Sequence, residues 1–210
     1  MKDNKLDLPP LYAITDTRLS GLSHTKQVVG LIRGGARLIQ IRDKQATADE
    51  LYQASVECVA FARPLGVKII INDRADVALA ADADGVHLGQ DDLPPDEARA
   101  LLGGSRIVGI STHNLEQAIR GATLPVDYVA VGPAFLTSSK ANPDPTVGVG
   151  LIALVKTLVA KPIVAIGGIT LERAQAVIQA GADSVAVISD LYSTDDIAAR
   201  VAEFLRLLAP

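Results

Sequence analysis

Short runs of branched apolar residues alternate with segments of helical spacing along the whole chain. Eight runs read as strands: Leu11–Thr15, Leu38–Arg42, Lys68–Asn72, Gly85–Leu88, Ile107–Ser111, Tyr128–Val131, Pro162–Ile166 and Ser184–Ile188. Between them, Thr47–Ala62, Pro94–Leu102, Leu151–Leu158 and Leu171–Gln179 place apolar residues three and four apart, the spacing of one helix face. After the last run, Asp195–Leu208 repeats the helical pattern.

Such alternation predicts βαβ units on a parallel sheet. Right-handed crossovers leave two arrangements, an open doubly wound sheet or a closed barrel. Eight units in 210 residues favour the barrel, at the lower end of its size range. The expected fold is therefore α/β, a single-domain (β/α)8 TIM barrel over residues 11–210, preceded by a polar extension over residues 1–10. One irregular segment, 136–148, follows the sixth strand, and its Pro143, Pro145 and Gly148 mark it as a mobile loop.

Composition narrows the picture. Hydrophobic residues reach 49% but aromatic ones only 3%, so the core is aliphatic, as suits a sheet covered on both faces. Few rings and a net charge of −4 argue against a nucleic-acid or anionic-lipid surface. Cys58 is the single cysteine, which excludes an internal disulfide and a cysteine metal cluster; its helical setting suggests a packed, inert thiol. The first ten residues contain no apolar leader core, and no apolar stretch reaches membrane-spanning length, so the cytoplasm is the expected compartment.

The chemistry of a parallel barrel sits where its strands end. Here those ends are polar: Gln40, Arg42, Asp43 and Lys44; Asn72, Asp73 and Arg74; Gly89 to Asp92; Ser111 to Asn114; Thr137 to Lys140; Gly167 and Gly168; and Ser189. Gln40, Arg42 and Lys44 are spaced by two and share a face in a strand. Cations turned into a barrel mouth are costly unless an anion meets them. The competing reading pairs Arg42 and Lys44 with Asp43 or Glu50 on the surface.

Asp73 and Asp92 follow neighbouring strands and can share a hard cation. Magnesium is commonly held by one or two carboxylates together with substrate oxygens. Either aspartate alone also reads as a helix cap. Gly167, Gly168, Ile188 and Ser189 form the glycine-rich rim that receives a phosphate in many barrels. Of the histidines, His24 opens a helix and is expected at the surface. His87 reads equally as a core or catalytic residue, and His113 sits in a rim loop. No hydrolase triad order, HExxH or P-loop is present.

Several segments together resemble the thiamine-phosphate synthases. They are LYAITD (11–16), IQIRDK (39–44), INDRADVALAADADGVHLGQDDLP (71–94), GIST (109–112), GPAFLTSSK (132–140), IGGIT (166–170) and GADSVAVIS (181–189). GVHLGQDDLP and GPAFLTSSK are the most specific, and the set spans nearly the whole chain. Ser139 stands where many members carry threonine, and the stretch GATLPVDY (121–128) is longer than the link expected there.

The resemblance implies an enzyme that joins an aminopyrimidine methyl diphosphate to a thiazole monophosphate, releasing diphosphate. It implies that Gln40, Ile41, Arg42, Asp43, Lys44, Asn72, Ser111 and Lys140 hold the pyrimidine diphosphate. Thr137, Ser138, Ser139, Gly168, Ile188 and Ser189 would meet the thiazole phosphate, with Asp73 and Asp92 on one Mg²⁺. The implied partners are small molecules, not nucleic acid or membrane, with self-association left open. Closure of loop 136–148 over the substrates is a further expectation. Three rivals stand beside this reading. A thiazole tautomerase branch would carry a histidine where Pro133 stands. A Schiff-base aldolase would use Lys44 or Lys140. A non-catalytic ligand sensor would bind without turnover.

Overall fold

A computed structural model describes residues 6–137 and 145–209 of the chain. Eight strands close into a parallel barrel in sequence order: β1 (Leu11–Ile14), β2 (Leu38–Ile41), β3 (Lys68–Asn72), β4 (Gly85–Leu88), β5 (Ile107–Thr112), β6 (Tyr128–Val131), β7 (Ile163–Ile166) and β8 (Ser184–Val187). Closure is made by β8 on β1, with Leu11 opposite Val185 and Ala13 opposite Val187. That pairing excludes the open sheet. The GATLPVDY stretch leaves β6 where the pattern placed it.

The helices among the described residues are α1 (Thr17–Ser20), α2 (His24–Arg33), α3 (Ala48–Ala62), α4 (Ala75–Ala80), α5 (Pro95–Leu102), α6 (Leu115–Thr123), α7 (Gly148–Leu158), α8 (Leu171–Gln179) and α9 (Ile197–Leu207). Local chemistry sets several boundaries. Thr47 caps α3 with a reciprocal Glu50 contact, so the helix begins one residue after its cap. Asn114 caps α6 through the Gln117 N–H at 2.8 Å. Among the described residues no helix is long and apolar enough to cross a membrane.

Two apolar layers result from the alternation of side chains along each strand. Outward-facing residues such as Ile39, Ile41, Ile69, Ile71, Val86 and Val108 pack against the helices. Inward-facing Tyr12, Ile14, Leu38, Ile70, Ile107, Tyr128, Ala130, Val164 and Ala186 fill the barrel. Leu6 and Leu8 of the N-terminal segment pack against this inner layer. Towards the C-terminal mouth the inner face turns polar, with Gln40, Asn72 and His87 all buried. Cys58 is fully buried, and burial pushes its thiol up to about 12, in keeping with an inert packed residue.

At the N-terminal end, aspartates latch neighbouring strands. Asp84 accepts from the Ile69 N–H, Asp127 from Val108 and Asp183 from Ile163, each at 2.8 Å. Each sits at the start of one strand and satisfies an N–H of its neighbour in the barrel, at the end away from the polar mouth.

His24 corrects the expectation of a surface residue. It opens α2 but is only 6% exposed. Its Nδ1 lies 2.8 Å from Thr15 Oγ1 and its Nε2 3.6 Å from Asp43. Thr15 just past β1 and Asp43 just past β2 flank the imidazole, long-range contacts that helical periodicity alone does not report.

Candidate active site

A cavity of about 450 Å³ opens at the C-terminal mouth of the barrel. Gln40, Arg42, Lys44, Asn72, Asp73, His87, Asp92, Ser111, His113, Thr137, Gly168, Ile188 and Ser189 all line it. Contributions from every side of the ring therefore converge on one space. The alternation in the second strand holds past its end: Gln40, Arg42 and Lys44 turn inward. Ile41 packs with the outer layer, and Asp43 faces the α1–α2 side. Ser138, Ser139 and Lys140 lie outside the described residues, as does much of loop 136–148.

The cations of this mouth are not spent on Asp43 or Glu50. The Arg42 guanidinium is 3.5 Å from Asp16, and its backbone N–H donates to Thr15 Oγ1 at 3.2 Å. Lys44 Nζ is 3.3 Å from Asp73, with its side chain half exposed. Glu50 instead completes the α3 cap. Asp43 anchors the turn it occupies. Burial works to raise its carboxyl, but the Gln45 N–H, the Thr17 hydroxyl and the Ala46 N–H outweigh this and hold it below the usual range. Its side chain is thus engaged in shaping the loop that presents Arg42 and Lys44.

Asp73 and Asp92 come together as the strand order suggests. Their carboxyls lie within hydrogen-bonding reach, and burial first, then the Asp92 carboxyl, raises Asp73 against the pull of Lys44. Two carboxylates brought this close call for a proton or a cation between them. Asp73 also holds φ at 63°, a left-handed conformation that costs a non-glycine residue about 1–2 kcal/mol. Such strain clusters where a side chain must be aimed. Asp92 Oδ2 accepts from the Gly89 N–H, fixing the carboxylate against its own turn. Among the described residues no group of three His, Cys, Asp or Glu side chains forms a metal cage. A two-carboxylate donor set suits Mg²⁺ completed by substrate and water oxygens.

Across the mouth, Gly167, Gly168 and Ile169 end the β7 turn, while Ile188 and Ser189 leave β8. Gly168 lies at φ +62°, and a Cβ there would stand 2.3 Å from the Leu136 carbonyl oxygen. Glycine is required for both reasons. Arg173 Nη1 donates to the Gly168 oxygen at 2.8 Å, holding the turn from outside. His87 proves to be both a core residue and a cavity residue, buried with Nε2 at 2.8 Å from Ser111 Oγ. His113 reaches the Gly132 carbonyl at 2.7 Å. Residue patterning missed Gln117, which lines the cavity from α6 and accepts from the His113 N–H at 2.7 Å. The Asn114-x-x-Gln117 spacing marks a helix start, which signals a cap and not a site.

A family described as "Thiamine monophosphate synthase" matches residues 11–191. The chain belongs to the thiamine monophosphate synthase family. It is 48% identical over 210 residues to a thiamine-phosphate synthase from Koribacter versatilis, covering 97% of each chain. It is 45% identical to one from Methanospirillum hungatei, covering 94% of this chain and 97% of that one. A solved thiamine phosphate pyrophosphorylase from Pyrococcus furiosus superposes with a TM-score of 0.86 at 33% identity, covering 94% of both chains. Membership in the thiamine monophosphate synthase family, inferred from the sequence segments, is thus matched by the fold and by relatives of nearly equal length.

Proposed function

We infer that this chain is a thiamine-phosphate synthase, joining 4-amino-2-methyl-5-(diphosphooxymethyl)pyrimidine to a thiazole monophosphate with loss of diphosphate. The observation that carries the reading is the convergence of Arg42, Lys44, Asp73 and Asp92 on one wall of the cavity, opposite Gly168 and Ser189. One wall suits a metal-bound diphosphate and the other a monophosphate.

In this mechanism the C–O bond between the pyrimidinyl methylene and the diphosphate breaks first. The electron pair leaves with the diphosphate, and an aminopyrimidine cation remains. Arg42 and Lys44 supply fixed positive charge to the departing group. Asp73 and Asp92 would hold Mg²⁺, which supplies Lewis-acid neutralisation of the leaving group. The thiazole nitrogen then shares its lone pair with the methylene carbon. No strong general base is required, so Asp73 and Asp92 would be left to the cation. Asn72, Gln40 and Ser111 orient the pyrimidine. The Gly168 backbone, Ile188, Ser189 and Thr137 receive the thiazole phosphate. The reading extends to Ser138, Ser139 and Lys140, and to closure of loop 136–148 over the reacting pair. It places the enzyme in the cytoplasm with small-molecule partners.

The rivals fit less well. Pro133, not a histidine, lines the cavity together with Gln40, Arg42, Lys44, Asp73 and Asp92, which counts against a tautomerase. Lys44 lies half exposed against a carboxylate, not in the apolar pocket that a Schiff-base lysine needs. Incubation with both substrates and Mg²⁺, followed by mass detection of thiamine phosphate and of released diphosphate, tests the proposal. Binding of both ligands without product would favour a sensor and overturn it.

A further inference from the structure

Beneath the cavity floor lies a line of hydrogen bonds whose middle members, Tyr12, Tyr128 and His87, have no part in the reaction described above. The Gln40 side-chain amide donates to the Tyr12 oxygen at 3.0 Å. The Tyr12 and Tyr128 oxygens are 3.1 Å apart, Tyr128 is 2.8 Å from His87 Nδ1, and His87 Nε2 is 2.8 Å from Ser111 Oγ. Gln40, His87 and Ser111 line the cavity, whereas the two tyrosines belong to the inner apolar layer and are buried. The arrangement is built around the Tyr128 hydroxyl: a Cβ at Gly109 would stand 2.0 Å from its Cζ and 2.4 Å from its oxygen. The rings pack as well, Tyr128 stacking on His87 at 5.7 Å and meeting Tyr12 edge-on at 6.0 Å.

Proton accounting gives this line a direction. Burial pushes both phenols far above their ordinary range, so each keeps one proton. The Tyr12 oxygen already accepts from Gln40, and its own proton needs an acceptor. Among the described residues that acceptor is the Tyr128 oxygen. The positions also let Tyr128 donate to Tyr12, but with the Gln40 amide nitrogen turned to the Tyr12 oxygen this strands the buried Tyr12 O–H at the full desolvation penalty. With Tyr12 donating, the Tyr128 proton must go to His87 Nδ1. That nitrogen is then bare, and Nε2 carries the hydrogen towards Ser111.

We propose that Tyr12 and Tyr128 are positioning residues that lock His87 as its Nε2–H tautomer and leave the Ser111 hydroxyl to donate into the cavity. The ligand atom facing Ser111 is then an acceptor. On the synthase reading, which the identity of this ligand rests on, it is a ring nitrogen or a phosphate oxygen of the pyrimidine diphosphate. The line also ties Gln40, on one side of the mouth, to Ser111 on the other through the barrel core.

Long-range ¹H–¹⁵N spectra of the histidine-labelled protein, with His87 assigned by loss of its signals in His87→Gln, read the tautomer directly. The expected result is a protonated Nε2 and a bare Nδ1; a protonated Nδ1 overturns the proposal without any variant or activity. In Tyr128→Phe the ring stays but the donor is lost. The His87 spectrum should shift towards the other tautomer. The kcat/KM for the pyrimidine diphosphate should fall by about tenfold to a hundredfold, with the KM for thiazole phosphate unmoved. Tyr12→Phe should act through the same line, so the double variant should be no worse than Tyr128→Phe. Additive losses, equal losses for both substrates, or an unchanged spectrum would mean that the tyrosines only fill space. If the wild type makes no thiamine phosphate, the functional reading fails while the spectrum still decides the proton direction.

Discussion

Replacing Gly168 by alanine separates backbone strain from phosphate binding in one residue. The wild-type φ of +62° costs an alanine about 1–2 kcal/mol. The new methyl would lie 2.3 Å from the Leu136 oxygen and 2.9 Å from Phe135 Cβ. The first distance is about 1 Å short of a relaxed C···O contact. Retreat is hindered on both sides. The Phe135 N–H donates to the Gly167 oxygen at 3.0 Å, and the Arg173 guanidinium sits 4.8 Å from the Phe135 ring while holding the Gly168 oxygen. Overpacking adds about 1–3 kcal/mol, for a total of roughly 2–5 kcal/mol. For a chain of this length that lowers Tm by roughly 5–15 °C. Gly21 is the control: φ is +66° with nothing within 4 Å of an added Cβ, so Gly21→Ala reports strain alone and a shift of a few degrees. Calorimetry gives both values. Kinetics on the surviving Gly168→Ala should show the KM for thiazole phosphate raised by about tenfold or more, with the KM for the pyrimidine diphosphate little changed. A variant that melts with Gly21→Ala and keeps the wild-type thiazole KM would refute both the packing and the phosphate assignment.

Three further outcomes follow from the site. Asp92→Ala should lower the rate sharply and raise the Mg²⁺ concentration needed for half-maximal rate; unchanged kinetics in a magnesium titration would remove the metal assignment. Ser189→Ala should raise the KM for thiazole phosphate by about tenfold, the worth of one hydrogen bond to a charged group, without altering the magnesium requirement. The third concerns stability and His24. Burial lowers its pKa from 6.5 more than Asp43 raises it. The folded state therefore resists protonation, and the unfolded chain takes the proton first. Stability from this residue is present above pH 6.5 and is lost as pH falls from there through the folded value, by at most about 1.4 kcal/mol per pH unit. Urea midpoints at pH 7 and pH 5 should converge in His24→Gln relative to wild type; an identical pH slope in both proteins would show that His24 is not the group responsible.

The pattern of the chain was enough to locate all eight strands, because burial on both faces leaves each as a short branched-apolar run whatever its neighbours are. Strand ends were legible for the same reason: where the apolar run stops, residues such as Arg42, Asp73 and Ser111 stand out. The period of two even foretold that Gln40, Arg42 and Lys44 share the inner face. Contacts between distant segments decided what remained. Whether eight strands close depends on β8 meeting β1, a pairing no local window contains. His24 looked like an exposed helix start, but Thr15 and Asp43 from the ends of β1 and β2 flank it. Arg42 found Asp16 across a strand, and Tyr12 found Tyr128 at a separation of 116 residues. Periodicity says which way a side chain points, but only the closed ring brings inward-pointing groups from different strands within hydrogen-bonding distance, and so determines what each one meets.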